Sequence, residues 1–202
     1  MTKGDRTKHA VSKSGKCRII AGKWRGRILR FDDAEGLRPT TDRIRETVFN
    51  WLQVYLPHSN CLDCFAGSGM LGFEALSRGA DKVVFIEKNK QTINNLKENA
   101  SVLAVDDHKA VIKQQDALSW LQAMPLENTP DTPFNLVFLD PPFHSDLLVE
   151  SCVLLNNSGC LAEDAIIYIE HAAGAIVDVP DNWECLKEKS SGQVAYKLFT
   201  LI

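Results

Sequence analysis

The chain predicts an α/β fold: a mostly parallel sheet with helices on both faces, an antiparallel hairpin at its C-terminal end and a smaller β-hairpin before it. Three observations predict this. From Cys61 to Glu170, short apolar runs alternate with stretches of helical periodicity, the pattern of strand–helix–strand units sharing one parallel sheet. Gly67-Ser68-Gly69-Met70-Leu71-Gly72 stands where the first of these strands gives way to a helix, and glycines there let the backbone turn tightly and come close to a neighbour. Finally, Glu184–Lys189 and Val194–Leu201 are extended runs joined by a turn at Ser190–Gly192, which reads as an antiparallel edge.

The 202 residues suffice for one sizeable core plus an appendage. A composition of 45% hydrophobic and 24% charged residues is ordinary for a soluble globular protein. No apolar run approaches the ~18 residues of a membrane span, and the charged N-terminus lacks the apolar stretch of a secretory signal. A cytoplasmic location without a membrane partner is therefore expected; a monomer is expected too, although the sequence does not itself give the oligomeric state. Six cysteines are then free thiols rather than disulfides. Cys61 and Cys64 have the spacing of a zinc or redox pair, but no second pair or paired histidines follow. On a strand, positions three apart point to opposite faces, so both are expected to pack in the core and no metal site is expected.

Taken in order, residues 1–15 form a basic tail, expected to be disordered. Cys17–Ala21 and Arg27–Phe31 read as strands around a glycine-bounded turn, Gly22-Lys23-Trp24-Arg25-Gly26. They form a hairpin extension over 16–36, ahead of a main domain over 37–202. A helix runs from Asp42 to Tyr55 with Thr41 as N-cap. Ile44, Val48, Leu52 and Tyr55 share one face of it, and Arg43 and Arg45 lie off that stripe. Strands follow at 61–65, 82–87, 111–115, 134–139 and 165–170. Helices follow at 69–78, 90–103, 117–124 and 146–155. The proline-bearing stretch 125–133 is a loop.

The net charge of −3 conceals a division. Ten of the 23 Lys/Arg and one of the 26 Asp/Glu fall in residues 1–30, so that stretch carries +9 and the remainder −12. A basic arm on an acidic body suits a polyanion met at one end. Arg18, Lys23, Arg25, Arg27 and Arg30 of the hairpin, with Arg38 and Arg43 beyond it, are the candidate contacts. Trp24 among them serves base stacking or packing on the neighbouring body equally well.

The glycine run matches G-x-G-x-x-G, with a strand before it and a helix after it, and so admits a dinucleotide cofactor. Two features favour S-adenosyl-L-methionine instead. Asp63, four residues before Gly67, is a carboxylate where nicotinamide sites keep an apolar strand; it suits an ammonium group better than a pyrophosphate. Asp140-Pro141-Pro142-Phe143, at the end of the apolar run Leu136–Leu139, has no part in hydride transfer. Glu87, ending the second strand, would accept from ribose hydroxyls, and Asp116, ending the third, would hold an adenine amino group or cap the next helix. Phe65, Ala66, Gly67, Ser68 and Gly69 form the loop, and Lys88 and Ala117 adjoin the two acids.

The amine of a nucleobase is a poor nucleophile because its lone pair is delocalised into the ring. Acceptors on its two hydrogens favour a pyramidal nitrogen. Asp140 supplies one, the carbonyl of Pro141 supplies the other, the paired prolines fix that carbonyl, and Phe143 stacks on an extruded base. The pattern does not separate guanine from adenine.

With these motifs the chain resembles class I S-adenosylmethionine-dependent amino-methyltransferases, whose domain is Rossmann-like. More narrowly it resembles the bacterial small-subunit ribosomal RNA guanine-N2 methyltransferase family, in Arg18–Arg27, Leu37–Glu46, Cys61–Ala80 and Gly192–Tyr196. Leu37–Glu46 is the most specific of these, and the match spans about residues 16–201. The resemblance implies methyl transfer to the exocyclic N2 of a guanine in 16S rRNA, within the small ribosomal subunit. Adenine-N6 methylation of DNA or RNA is the nearest rival. A glutamine N-methyltransferase is weaker, since those prefer Asn where Asp140 stands and lack the hairpin. A non-catalytic RNA-binding assembly factor is the rival of another class, and the intact Asp63, Glu87 and Asp140 argue against it.

Overall fold

The computed structural model describes residues 14–32, 42–124, 132–142 and 146–202. The N-terminal tail, Arg38, the Thr41 cap, most of the proline-bearing loop and Phe143 lie outside the described residues.

Two short strands, β1 (Ser14–Arg18) and β2 (Ile28–Asp32), pair antiparallel as a separate two-stranded sheet. Helix α1 (Asp42–Trp51) follows. The alternating region supplies β3 (Asn60–Asp63), α2 (Met70–Ser77), β4 (Lys82–Glu87), α3 (Lys90–Val102), β5 (Ala110–Gln114), α4 (Ala117–Ala123), β6 (Phe134–Leu139), α5 (Leu147–Asn157) and β7 (Leu161–Ala172). The chain closes with β8 (Trp183–Ser191) and β9 (Val194–Leu201). Among the described residues, seven strands form one sheet in the order β5-β4-β3-β6-β7-β9-β8. The pairs from β5 to β7 are parallel, and β9 pairs antiparallel with β7 and β8. The expected fold class is the observed one.

The central strands are apolar on both sides, as a sheet covered on both faces requires. On one face Cys61, Val83, Phe85, Phe138 and Tyr168 meet α1, α2, α3 and the hairpin residues Ile19, Leu29 and Phe31. On the other face Leu62, Cys64, Ile86, Val137, Leu139 and Ile169 meet α4 and α5. Cys61 and Cys64 thus part to opposite cores, and burial pushes the Cys61 thiol up to about 12. All six cysteines are free. Phe73 and Phe85 join α2 to β4 with ring centroids 4.9 Å apart, and a buried side chain of this size stabilises by roughly 1.5–3 kcal/mol.

Several boundaries differ from the sequence reading, each for a local reason. Helix α1 stops at Trp51 rather than Tyr55. The chain turns ahead of Pro57, Leu56 takes the buried place, and Tyr55 is exposed. Arg45, off the apolar stripe, is nevertheless buried, because its guanidinium donates to the Arg18 carbonyl at 3.0 Å and to Asp42 at 2.6 Å. The first ladder begins at Ser14, so Ile19–Ala21 follow β1 rather than belonging to it. Strand β7 starts four residues early, with a register shift between Phe134 and Leu136 that lets Glu163 and Asp164 stay exposed. The last hairpin turns at Gly192-Gln193, leaving Ser190 and Ser191 in β8.

Candidate active site

Strands β3 and β6 lie side by side at the centre, and their connections lead away in opposite directions. In an open α/β sheet such a switch point leaves a crevice at the carboxyl ends of the strands. The glycine loop after β3 and Asp140-Pro141-Pro142 after β6 share this edge.

The loop is held by backbone bonds: Cys64 N–H donates to the Phe138 carbonyl (3.1 Å), Ala66 N–H to Ile86 (3.0 Å) and Gly69 N–H to Ala66 (2.6 Å). Gly67 and Gly69 adopt φ of 49° and 76°, which side-chain-bearing residues rarely do. Gly72 serves packing: a Cβ there would fall 2.2 Å from the Phe85 ring, so the third glycine lets α2 lie close on β4.

Two carboxylates bind the loop and the first turn of α2, and a third stands after β5, the strand next to β4. Asp63 is buried and accepts from the Gly72 amide at 3.2 Å, bracing the first turn of α2 from below. Burial pushes its carboxyl up to about 7; the Gly72 bond works against this and the Glu87 charge adds to it. Glu87 is half-buried and accepts from Gly67 N–H at 3.1 Å and Asn89 N–H at 2.7 Å. A carboxylate offers about four acceptor sites, so two bonds do not exhaust it. Asp116 caps α4, accepting from the Ser119 amide at 3.1 Å, so the capping role expected of it is present. Ala66 and Ala117 are buried, Ser68 is half-buried and Lys88 is exposed. Phe65 packs against the core on the α4 and α5 side.

On the β6 side, Asp140 is half-buried, Pro141 buried and Pro142 exposed. Pro141 and Pro142 line a cleft of about 200 Å³ together with Glu170, His171 and Ala172 from the end of β7. The Tyr168 hydroxyl donates to Glu170 at 2.7 Å.

The basic residues are not part of this cluster. Arg18, Lys23, Arg25, Arg27, Arg30 and Arg43 are exposed, and the hairpin turn is joined to the last turns of α2. Glu74 accepts from the Ile20 and Ala21 amides (2.7 and 3.0 Å) and from the Arg78 side chain (2.7 Å). Ser77 Oγ accepts from Trp24 N–H (3.0 Å) and donates to the Ala21 carbonyl (2.6 Å). Lys23 N–H donates to the Ser77 carbonyl at 2.7 Å, satisfying one of the groups a helix C-terminus leaves open. Trp24 is half-buried against the core, with Lys23 Nζ 5.2 Å from its ring centroid, so packing accounts for part of its role.

Glu74, Ser77, Asn99 and Glu170 escaped the sequence reading. Each is a polar residue inside a helix or strand, where a solvent-facing role is the default. The signal for Glu74 and Ser77 is that the rest of Met70–Ser77 is apolar enough to be buried all round.

The family described as conserved hypothetical protein 95 matches residues 17–200. The chain is 48% identical over 185 residues to ribosomal RNA small subunit methyltransferase D of Haemophilus influenzae, covering 92% of this chain and 94% of that protein. It is 46% identical over 189 residues to the protein of the same name from Escherichia coli strain K12, covering 93% and 91%. A solved structure described as "Putative methyltransferase yhhF from Escherichia coli" superposes with a TM-score of 0.82 at 42% identity, covering 93% of this chain and 98% of that one.

Proposed function

Because the chain belongs to the family of the small-subunit ribosomal RNA methyltransferases D, we propose that it methylates the exocyclic N2 of a guanine in 16S rRNA, with S-adenosyl-L-methionine as donor. That it is a methyltransferase acting on small-subunit rRNA follows from the family. The target atom, the donor and the residue roles are the proposal's own.

The observation that carries it is the junction of two motifs on one sheet edge: the glycine loop with its carboxylates after β3, and Asp140-Pro141-Pro142 after the neighbouring β6. The residues present fit the donor. Asp63 suits its ammonium, Glu87 its ribose diol, and Asp116 with Ala117 its adenine, while Phe65, Ala66, Gly67, Ser68, Gly69 and Lys88 wall the site. S-adenosylmethionine supplies a methyl group made electrophilic by the adjacent sulfonium.

The chain's own groups prepare the acceptor. Asp140 and the Pro141 carbonyl accept the two hydrogens of the amine and draw its lone pair out of conjugation. As the nitrogen takes the methyl group, the methyl–sulfur bond would break to leave a neutral thioether, and one amine proton leaves by way of the Asp140 carboxylate. Pro142 keeps the backbone rigid, Phe143 stacks on the base, and no covalent intermediate is needed. Holding both partners in reacting geometry supplies much of the rate, since well-oriented reactions reach effective molarities of about 10⁵ M or more. Arg18, Lys23, Arg25, Arg27, Arg30, Arg38 and Arg43 hold the RNA by its phosphates and position it, and Trp24 stacks on a base.

The test is transfer of labelled methyl to small-subunit particles from a strain lacking this protein, followed by nuclease digestion. N2-methylguanosine is expected; label on adenine N6, or in no nucleoside, overturns the reading.

A further inference from the structure

A second carboxylate stands beside Asp140. The last paired residues of β6 and β7 are Leu139 and Ile169, so Asp140, the residue just after β6, comes next in register to Glu170, which is still in β7. Side chains two apart on a strand share a face. Phe138 and Tyr168, one step down that face, meet edge to face with centroids 6.1 Å apart. Glu170 stands above this ring pair on β7, and Asp140, two residues after Phe138, is close enough for its charge to reach the same Tyr168 hydroxyl that bonds Glu170. Burial, then the charges of Glu170 and Asp140, hold the Tyr168 hydroxyl well above its usual pKa. It stays a donor and points Glu170 with its 2.7 Å bond. Glu170 is buried, yet it lines the cleft with Pro141 and Pro142.

Such a pair of acceptors fits one base edge. Guanine carries N1–H directly beside its N2 amine, so two adjacent donors face outward. Adenine carries a bare N1 lone pair beside its N6 amine. With the target amine on Asp140, a carboxylate one strand over meets a hydrogen in guanine and a lone pair in adenine. We infer that Glu170 is the residue that selects guanine over adenine, accepting the N1 hydrogen while Asp140 holds the amine. The inference rests on the guanine-N2 reading and adds to it the source of base choice, which the Asp-Pro-Pro-Phe pattern alone does not supply. A site built to bond a donor rejects the analogue lacking it far more strongly than an apolar pocket rejects a misfit.

2-Aminopurine keeps the exocyclic amine at the same position and lacks the N1 hydrogen together with O6, so it separates the possibilities when wild type and a Glu170 variant are compared on it. Small-subunit particles are reconstituted with rRNA carrying guanine or 2-aminopurine at the methylated nucleotide, and kcat/KM is measured on both. The wild-type enzyme should prefer guanine by about 100-fold or more. Glu170→Gln keeps the shape and places an amide donor toward N1. It should lose about 100-fold on guanine and prefer 2-aminopurine, with donor affinity within a few-fold of wild type. A purely structural role for Glu170 would weaken donor binding and both substrates alike. Equal wild-type rates on the two bases overturn the inference, as does a Glu170→Gln enzyme that keeps the wild-type preference. That wild-type comparison can overturn the inference even if the variant fails to fold. Absence of N2-methylguanosine in the wild-type guanine arm instead sinks the underlying guanine-N2 reading.

Discussion

At Asp63 the proposed binding role and stability oppose each other. A buried carboxyl with its folded pKa near 7, against 3.8 in the unfolded chain, binds its proton more tightly when folded. Between about pH 4 and pH 7 the folded state holds that proton and the unfolded state does not, so stability falls as pH rises through this window. At about 1.4 kcal/mol per pKa unit, the loss approaches ~4 kcal/mol above pH 7. Asp63→Asn can still accept from the Gly72 amide. Denaturant titrations without donor should show this variant gaining stability over wild type at pH 8 and not at pH 4, while calorimetry shows weaker S-adenosylmethionine binding. Equal stability at both pH values would remove the buried charge from the account. Asp140→Ala belongs to the other half of the site. Turnover should fall by at least 100-fold with donor affinity within a few-fold, because a charge-assisted bond worth about 1.5–3 kcal/mol and the placement of the amine are lost together. Near-normal turnover would remove Asp140 from the reaction.

At the scale of elements, the contact of hairpin and α2 decides what the basic segment is. Gly22 has φ of 82°, and a Cβ there would fall 1.8 Å from the Ser77 carbonyl oxygen. Gly22→Ala should therefore cost about 2 kcal/mol or more in chemical denaturation. Gly26 has the same φ with open space around it, so Gly26→Ala should cost only the ~1–2 kcal/mol of a left-handed residue. Equal losses at the two positions would mean that the turn does not press on α2. This docking was not legible in the sequence, although both strands of the hairpin were. Strand and helix signals come from apolar spacing, and here the joints are polar: Glu74 and Ser77 on α2, and Asn99, which exchanges two bonds with the Arg30 backbone at 2.9 and 3.1 Å. Arg45 misled for the same reason, since its burial depends on acceptors 3 and 27 residues away. The β4, β6 and β9 bounds were legible to the residue because each is an unbroken β-prone run between turn signals.

Across the whole molecule, packing gives the N-terminal segment a structural role, and its charge fits the proposed contact with RNA. Its apolar residues complete the core, with Ile19 and Leu29 fully buried. Deleting residues 1–31 should therefore unfold the protein rather than merely detach it from RNA, and surface substitutions are the cleaner probe. Arg25 and Arg27, both exposed, can be changed to Ala together. Thermal stability and donor affinity should stay close to wild type, while binding to small-subunit particles weakens. Its salt dependence should flatten by a slope of about 0.7–0.9 per lost phosphate contact. An unchanged slope would assign these cations to α2, whose C-terminal end also favours positive charge. The edge that carries the candidate site was legible in the sequence through the glycine run and Asp140-Pro141-Pro142, because both demand particular backbone shapes. Glu170 was not, since a lone acid ending a strand carries no signal until register sets it against Asp140.

The joint between hairpin and α2 also bears on how the protein is born. Synthesis releases the hairpin first, but the carboxylate that binds the Ile20 and Ala21 amides comes 53 to 54 residues later, and the Asn99 partner of Arg30 comes 69 residues later. Until α3 has emerged from the exit tunnel, the most cationic stretch of the chain has nowhere in its own fold to settle. It spends that interval at the surface of a translating ribosome, itself largely RNA. A growing chain of this design is at risk of electrostatic capture by the particle making it, and completion of α3 is the step that offers the apolar side of the arm a competing home.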